Sequence, residues 1–203
     1  MLSIGAWQPL NHNNYDNAMN KFENLILPGN SVVLRRFERD DITSSYLSWL
    51  NDPVVTRFSN QRYLEHTQNS AHLYLDSFHN SSNVFLSIRT KNDGVMIGTI
   101  TAYIATPHNT ADMGILLGNK NYWGLGLGQQ AWNTLGNWLI ESVGIRKITG
   151  GTVSKNLAII KIMENFGMFH EATRSKQQIF DGIAHDVQYY SKFNRKVNDL
   201  IKE

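Results

Sequence analysis

The sequence contains no cysteine, which excludes a disulfide framework, a cysteine zinc site and a cysteine nucleophile. Long apolar runs are also missing, because no stretch approaches the roughly 18 consecutive apolar residues of a membrane helix. The first residues do not show the basic segment and apolar run of a secretory signal. These absences predict a cytoplasmic protein that makes no contact with a membrane.

A strong charge of either sign is missing as well. The formal net charge is +2 at pH 7 and charged residues make up 18% of the chain, so the composition does not predict a nucleic-acid partner. The seven histidines lack the spacing of metal ligands, and we expect no metal. Hydrophobic residues make up 41%, which is enough for a buried core, and the length suits one domain with a short extension.

Composition divides the chain into three parts. Residues 1–28 are polar and rich in asparagine, and we expect an extension that holds one short helix over 16–27. Pro28 and Gly29 are typical of the turn that ends such a segment. The folded domain is expected over 29–195 and a C-terminal tail over 196–203.

The hydrophobic pattern of the domain indicates both strands and helices. Strands are predicted where apolar and polar residues alternate, and helices where apolar residues recur every three or four positions. The predicted order is β-αα-βββ-α-β-α-ββ, a mixed α/β domain with a largely antiparallel sheet flanked by helices. Asp40 and Asp41 are expected to cap the first helix. The predicted strands are 31–37, 84–90, 95–105, 111–117, 147–153, 171–180 and 185–193. The first predicted helix ends at 50, and the other three cover 67–78, 126–143 and 157–166.

A glycine-rich segment joins the fourth predicted strand to the long helix. It reads Trp123-Gly124-Leu125-Gly126-Leu127-Gly128-Gln129. Alternate glycines permit backbone angles that other residues resist, so several amides can converge at the helix N-terminus and bind phosphate oxygens. A flexible loop without a ligand would show the same glycine pattern.

Two better-known phosphate motifs do not fit this segment. A P-loop requires a lysine followed by serine or threonine after its last glycine, and that pair is missing here. A dinucleotide-binding fingerprint requires a third glycine where Gln129 stands, directly after a strand, whereas residues 119–123 intervene. The segment therefore does not indicate a nucleoside-triphosphatase or a dinucleotide-binding enzyme.

Together with its surroundings, the segment resembles motif A of the GNAT superfamily of N-acetyltransferases. It is most similar to the branch of ribosomal-protein N-terminal and amino-sugar acetyltransferases. Asn156 and the later Asn165-Phe166-Gly167-Met168 resemble the family's N-x-x-S…K-x-G-F segment, but Ile159 and Met168 replace its usual serine and phenylalanine. The resemblance covers about 31–193. Its matching segments are 46–53, 111–118, 122–131, 146–148, 156–168 and 181–186.

The resemblance implies an enzyme that transfers an acetyl group from acetyl-CoA to an amine, without a metal. In the GNAT fold the fourth and fifth strands splay around acetyl-CoA, and here these would be 113–117 and 148–152. The pyrophosphate would lie on the loop amides, and Asn156 would bind the pantetheine arm, cap the next helix, or both. The residues implied in cofactor binding are Ile115, Leu116, Leu117, Trp123, Gly124, Leu125, Gly126, Leu127, Gly128, Gln129 and Asn156.

Four side chains are candidates for proton transfer in such a reaction. A base has to deprotonate the amine and an acid has to protonate the CoA thiolate. Asp112 and His185 are the candidates for the base, with water as the alternative. Tyr189 and Tyr190 are the candidates for the acid, and Tyr190 is preferred, although only one of two strand neighbours can point into a site. A backbone amide near Leu116 is expected to stabilise the oxyanion.

Residues 49–57 are the segment that we expect to bind the acceptor amine. Trp49 could stack on a sugar and Arg57 could bind a phosphate, with Asn51 between them, but Trp49 could equally be a core residue. The resemblance implies the primary amine of a small molecule, particularly a nucleotide-linked amino sugar. A ribosomal-protein N-terminal alanine acetyltransferase and a CoA-binding sensor without catalysis stay open, and we expect a monomer or a homodimer.

Overall fold

An eight-stranded sheet lies at the centre of the computed structural model, which describes residues 24–198. Its strands are β1 (Ile26–Pro28), β2 (Val32–Arg36), β3 (Val84–Thr90), β4 (Met96–Ala105), β5 (Thr110–Leu117), β6 (Lys147–Val153), β7 (Phe169–Phe180) and β8 (Ile183–Phe193). They lie in the order β1-β2-β3-β4-β5-β6-β8-β7. All neighbours are antiparallel except β5 and β6. The predicted mixed, mostly antiparallel sheet is confirmed.

The first four helices follow the predicted positions closely, whereas the fifth is not among the predicted helices. They are α1 (Ser44–Leu50), α2 (Gln68–Asp76), α3 (Leu127–Trp138), α4 (Leu157–Asn165) and α5 (Arg195–Asn198). A π-helical turn over Leu139–Val143 continues α3, so the segment predicted as one long helix is helical throughout. Within the described part of the chain, no helix is long and apolar enough to cross a membrane.

The two faces of the sheet carry separate hydrophobic cores. On β3, Leu86 contributes to the core that contains α3 and α4, whereas Phe85 contributes to the core of α1 and α2. This follows from the alternation of side chains along a strand. Trp132 of α3 is the largest fully buried side chain. The middle of the sheet is therefore held between two helical layers.

Two predictions for the first part of the chain are wrong. Ile26–Pro28 is a strand and not the end of a helix, because these residues pair with β2 and bury Leu27 in the main core. The rest of the predicted helix, 16–23, lies outside the described residues. Asp41 does not cap α1, because Thr43 accepts the capping bond from Tyr46 N at 3.2 Å.

Asp41 has a different structural role. It is only 2% exposed, and its Oδ1 accepts from Arg35 Nη2 at 2.9 Å and from Arg89 Nη2 at 2.5 Å. The carboxylate thus joins β2 to β3, and the charge is buried only because two guanidinium groups compensate it.

The fold opens between β5 and β6. These parallel strands pair over three positions, from Thr110 with Lys147 to Asp112 with Thr149. Beyond these pairs the two strands diverge, and residues 113–117 and 151–153 line a common groove. The predicted splay of the two strands is therefore present.

Candidate active site

The groove between β5 and β6 has a volume of about 1030 Å³, which is at the upper end for sites that bind cofactors. Its walls come from β5, the glycine loop over 123–126, α3, α4, β6, β7 and β8. A further wall is formed by residues of the 54–60 segment, which we call the acceptor loop. The lining includes Asp112, Ile115, Leu116, Leu117, Trp123, Gly124, Gly126, Leu127, Gly128, Gln129, Asn156, Gln178 and Tyr189.

Alternate peptide groups of β5 face the groove. Gly118 donates its amide proton to a carbonyl of β4 at 3.0 Å, so the peptide groups of Leu116 also face β4. On the opposite side, the carbonyl of Leu117 accepts from Trp123 Nε1 at 2.9 Å. Ile115 and Leu117 therefore present their peptide groups to the groove. An oxyanion donor on this strand is one of these two amides, and not that of Leu116.

The glycine loop leaves open space at the N-terminus of α3. Gly124 and Gly126 have φ values of +75° and +74°, and a Cβ atom on either would meet no atom within 4 Å. The amides of Leu127, Gly128 and Gln129 occupy the first turn of α3, where no preceding carbonyl can accept them. With the positive end of the helix dipole, they form a site that fits an anion such as a pyrophosphate.

The side chains of some residues predicted to bind the cofactor have a structural role instead. The Gln129 side chain donates to the Ile162 carbonyl at 3.1 Å and so joins α3 to α4. Gly128 allows a close approach, because its Cβ would lie 3.0 Å from Leu117 Cδ1. Leu125 is 62% exposed and does not line the groove. Only the backbone of these loop residues is available to a phosphate.

Asn156 stands at the start of α4. It occupies the N-cap position, but its side chain makes no capping hydrogen bond. Its Nδ2 instead donates to Thr152 Oγ1 at 3.1 Å, and the residue lines the groove. The side chain is thus held towards the groove and not folded back on the helix.

The two adjacent tyrosines of β8 point in opposite directions. Tyr189 lines the groove and packs on the backbone of Gly151, where a Cβ would lie 2.9 Å from its ring. Tyr190 is 5% exposed in the main core, with its hydroxyl 3.5 Å from Glu164 Oε1. Burial raises the pKa of Tyr190. The preference for Tyr190 as the acid does not fit this position, whereas Tyr189 fits.

Of the two candidate bases, only Asp112 lies at the groove. It is exposed at the last paired position of β5, and its Oδ1 accepts from Thr149 Oγ1 at 2.7 Å. His185 is not part of the lining. Its ring stacks on Phe180 with centroids 3.8 Å apart, which holds it away from the reacting strands.

Only one of the three predicted acceptor residues lines the groove. Trp49 packs flat on Gly118, where an added Cβ would lie 2.1 Å from the indole ring. Asn51 uses its amide to bind the backbone of His66, at 2.8 and 2.9 Å. Arg57 does line the groove, and its Nη2 lies 3.7 Å from Asp181 Oδ2.

Comparison with known proteins decides the family. A model of the acetyltransferase (GNAT) domain matches residues 31–169. The protein belongs to the GNAT family of N-acetyltransferases. A search of curated proteins gave no match.

Solved structures show the same fold as this GNAT enzyme. A GNAT acetyltransferase from Bacillus anthracis is 16% identical over 84% of this chain and 99% of its own, with a TM-score of 0.72. A spermidine N-acetyltransferase from Vibrio cholerae, solved with CoA and spermine, is 17% identical over 83% and 98%, with a TM-score of 0.72. A ribosomal-protein-S5-alanine acetyltransferase from Vibrio fischeri is 18% identical over 84% and 97%, with a TM-score of 0.64. At these identities the likeness establishes the fold alone.

Phe58 and Gln178 are among the groove residues of this GNAT enzyme that sequence reasoning missed. Phe58 of the acceptor loop packs edge-on against Phe180, with centroids 5.7 Å apart, and so joins the loop to β7. Its position in the sequence next to Arg57, a predicted acceptor residue, could have identified it. Gln178 of β7 also lines the groove, but no pattern in the sequence distinguishes it from the neighbouring Gln177.

Proposed function

We propose that this GNAT enzyme transfers the acetyl group of acetyl-CoA to the primary amine of a small molecule. The observation that carries the proposal is the gap beyond Asp112 and Thr149, where two parallel strands part next to a helix N-terminus. The gap exposes peptide groups along β5 and unpaired amides at the start of α3. Acetyl-CoA has an amide-containing arm for the first feature and a pyrophosphate for the second.

Each part of the groove has a distinct binding role. The first amides of α3 bind the pyrophosphate, and Gly124 and Gly126 leave the room it needs. The peptide groups of Ile115 and Leu117 hydrogen-bond the arm as a neighbouring strand would. Asn156 adds a side-chain amide beside the same arm. These contacts hold the thioester at the point where β5 and β6 separate.

Acetyl-CoA supplies a thioester whose carbonyl carbon is open to attack by a neutral amine. The protein has to hold the two reactants together and move two protons. Asp112 accepts the proton of the incoming ammonium, and the Ile115 or Leu117 amide stabilises the oxyanion. Tyr189 donates its hydroxyl proton to the leaving thiolate. Each proton transfer contributes about 10²- to 10⁴-fold to the rate.

For the acceptor we infer an amino sugar, particularly one linked to a nucleotide. Phe58, Ser59, Asn60 and Gln178 line the acceptor side of the groove. Uncharged polar groups beside an aromatic ring suit a hydroxylated ring. Arg57 is 60% exposed at the rim, where a guanidinium can bind a phosphate. The inference depends on these residues and no longer on Trp49 or Asn51.

Cofactor binding is tested by thermal unfolding with added ligand. Acetyl-CoA is expected to raise the melting temperature, with about 2.7 kcal/mol of added stability at 100 times its Kd, and ATP or NAD much less. Gly126→Val should abolish this shift, because its side chain fills the space beside the loop. Gly94→Val is the matched control, since Gly94 also has a positive φ of +68° and open surroundings but lies in the turn before β4. Equal shifts in both variants, or equal stabilisation by ATP, would refute the assigned site.

The acceptor is tested by release of free thiol from acetyl-CoA. The panel contains free and nucleotide-linked amino sugars, polyamines and peptides with N-terminal alanine. We expect the highest kcat/KM for nucleotide-linked amino sugars. Faster turnover of the peptides would instead support ribosomal-protein N-terminal acetylation. An intact acetyl-CoA shift without thiol release for any amine would support a CoA-binding sensor.

A further inference from the structure

Gln178 of β7 carries a buried oxygen that lacks a hydrogen bond. Its Oε1 is shielded from solvent and receives no hydrogen bond within the described residues 24–198, although the side chain lines the groove. A buried carbonyl oxygen without a donor costs about 1–3 kcal/mol. Because buried polar atoms are nearly always paired in folded proteins, the amide gains a hydrogen bond when it turns Oε1 into the groove, where a bound molecule can supply the missing donor.

A bulge in β7 holds Gln178 in this position. Between Arg174 and Gln178, residues 175–177 of β7 oppose Asp186 of β8 alone. Lys176 has a φ of +52°, which is uncommon for a residue other than glycine. Its amide donates to Asp186 Oδ1 at 2.8 Å. The strand therefore maintains a strained conformation two residues before the residue with the unpaired oxygen, as is common at functional sites.

The unpaired oxygen belongs to the acceptor side of the groove. Gln178 and Phe180 lie on the same face of β7 because they are two residues apart, and Phe180 packs against Phe58 of the acceptor loop. Tyr189 of β8 lines the same space. The glycine loop, which would hold the phosphates, lies beyond β5 and not beside β7. Gln178 and Tyr189 thus line the same groove, and Gln178 does so on the side of the acceptor loop.

We propose that Gln178 is a specificity residue that binds a hydroxyl group of the acceptor. This rests on the proposed function, because it assumes that an amine enters from this side. A hydroxyl can donate to Oε1 and can also accept from the amide NH₂, whereas an ammonium group can only donate. A carboxylate would bind a polyamine more strongly than a neutral amide does. Gln178 therefore favours hydroxylated amines over polyamines and apolar amines.

The test compares two six-membered-ring amines, glucosamine and cyclohexylamine. Their binding to the CoA-saturated protein is measured by calorimetry, which requires no turnover. Wild-type protein is expected to bind glucosamine more tightly. Gln178→Leu should weaken glucosamine binding about 10- to 100-fold, as expected for one lost hydrogen bond with its desolvation, and should change cyclohexylamine binding less than about twofold. The melting temperature should stay equal or rise, because the variant removes an unpaired oxygen.

Gln177→Leu is the matched control, since this exposed neighbour does not line the groove and should leave both probes unaffected. Equal weakening of both probes by Gln178→Leu, unchanged glucosamine binding, or the same loss in Gln177→Leu would overturn the proposal. Equal binding of glucosamine and cyclohexylamine by the wild-type protein would also overturn it. Selective glucosamine binding without any acetyl transfer would refute the proposed function and leave the Gln178 assignment intact.

Discussion

At the scale of single residues, the two tyrosines of β8 provide a matched pair. Tyr189→Phe should lower kcat by about 10- to 1000-fold, because the lost hydroxyl acts on the leaving thiolate. Acetyl-CoA binding should not change, since that hydroxyl matters mainly in the transition state. Tyr190→Phe should keep kcat, because its hydroxyl lies in the core, 3.5 Å from Glu164. Steady-state kinetics with both variants checks this, and the reverse result would return the acid role to Tyr190.

Residue type and position were enough to place Asp112, Arg57 and Tyr189 at the groove. They were not enough for Trp49, whose ring packs on Gly118, because contacts between distant segments decide where a side chain points. The same holds for His185, which Phe180 removes from the site by stacking. A strand pattern shows which neighbours face opposite sides, but not which of the two faces the ligand.

Gln178 was beyond sequence reasoning for a different reason. Its orientation follows from the bulge at Lys176 and from the bond between that residue and Asp186. A bulge adds residues to one strand only, so it becomes visible when both partners and their register are known. The unpaired oxygen is a property of the assembled groove and not of the local sequence.

At the scale of the strand, the parting of β5 from β6 predicts a pattern of amide exchange. The amides of Ile115 and Leu117 face the groove and should exchange rapidly in the free protein. Those of Leu116 and Gly118 face β4 and should exchange slowly. Saturation with acetyl-CoA should slow Ile115 and Leu117 most. Hydrogen exchange resolved by residue measures this, and four amides with equal protection would contradict the assigned register.

Most elements could be predicted because their patterns are long or well bounded. The strand over 147–153 was predicted to the residue, and α4 to within one residue. β1 was missed, since a three-residue strand has no pattern of its own and exists only through pairing with β2. The cap of α1 was misplaced because Asp41 and Thr43 are both good N-cap residues, and the ion pairs of Asp41 with Arg35 and Arg89 decided between them.

At the scale of the whole molecule, buried tyrosines predict a loss of stability in alkali. Burial raises the pKa of Tyr46, Tyr74 and Tyr190 in the folded protein. Above about pH 10 the unfolded chain releases these protons while the folded protein keeps them. The unfolded state then binds fewer protons, so the free energy of unfolding falls with rising pH, by up to about 1.4 kcal/mol per pH unit for each of Tyr46 and Tyr74. Below pH 10 the contribution is constant.

Urea unfolding between pH 8 and pH 11 measures this fall. Tyr46→Phe should make the fall less steep, because it removes one of the protons involved. Tyr63→Phe is the control, since Tyr63 is 63% exposed and its loss should change the slope less than the loss of Tyr46 does. Equal slopes in all three proteins would contradict the assignment.

The cytoplasmic location, the monomeric or homodimeric state and the domain boundaries at 28 and 195 stay predictions from the sequence.

The short contact between β5 and β6 has a mechanical consequence. Three residue pairs connect a half-sheet of five strands to a half-sheet of three, and the core around α3 and α4 spans both. A force that pulls β4 away from β8 would separate the strands at this contact first, because the flanking contacts of β4 with β5 and of β6 with β8 are longer. A molecule bound in the gap crosslinks the two halves without a covalent bond. The stiffness of this protein is therefore expected to depend on the concentration of its own cosubstrate.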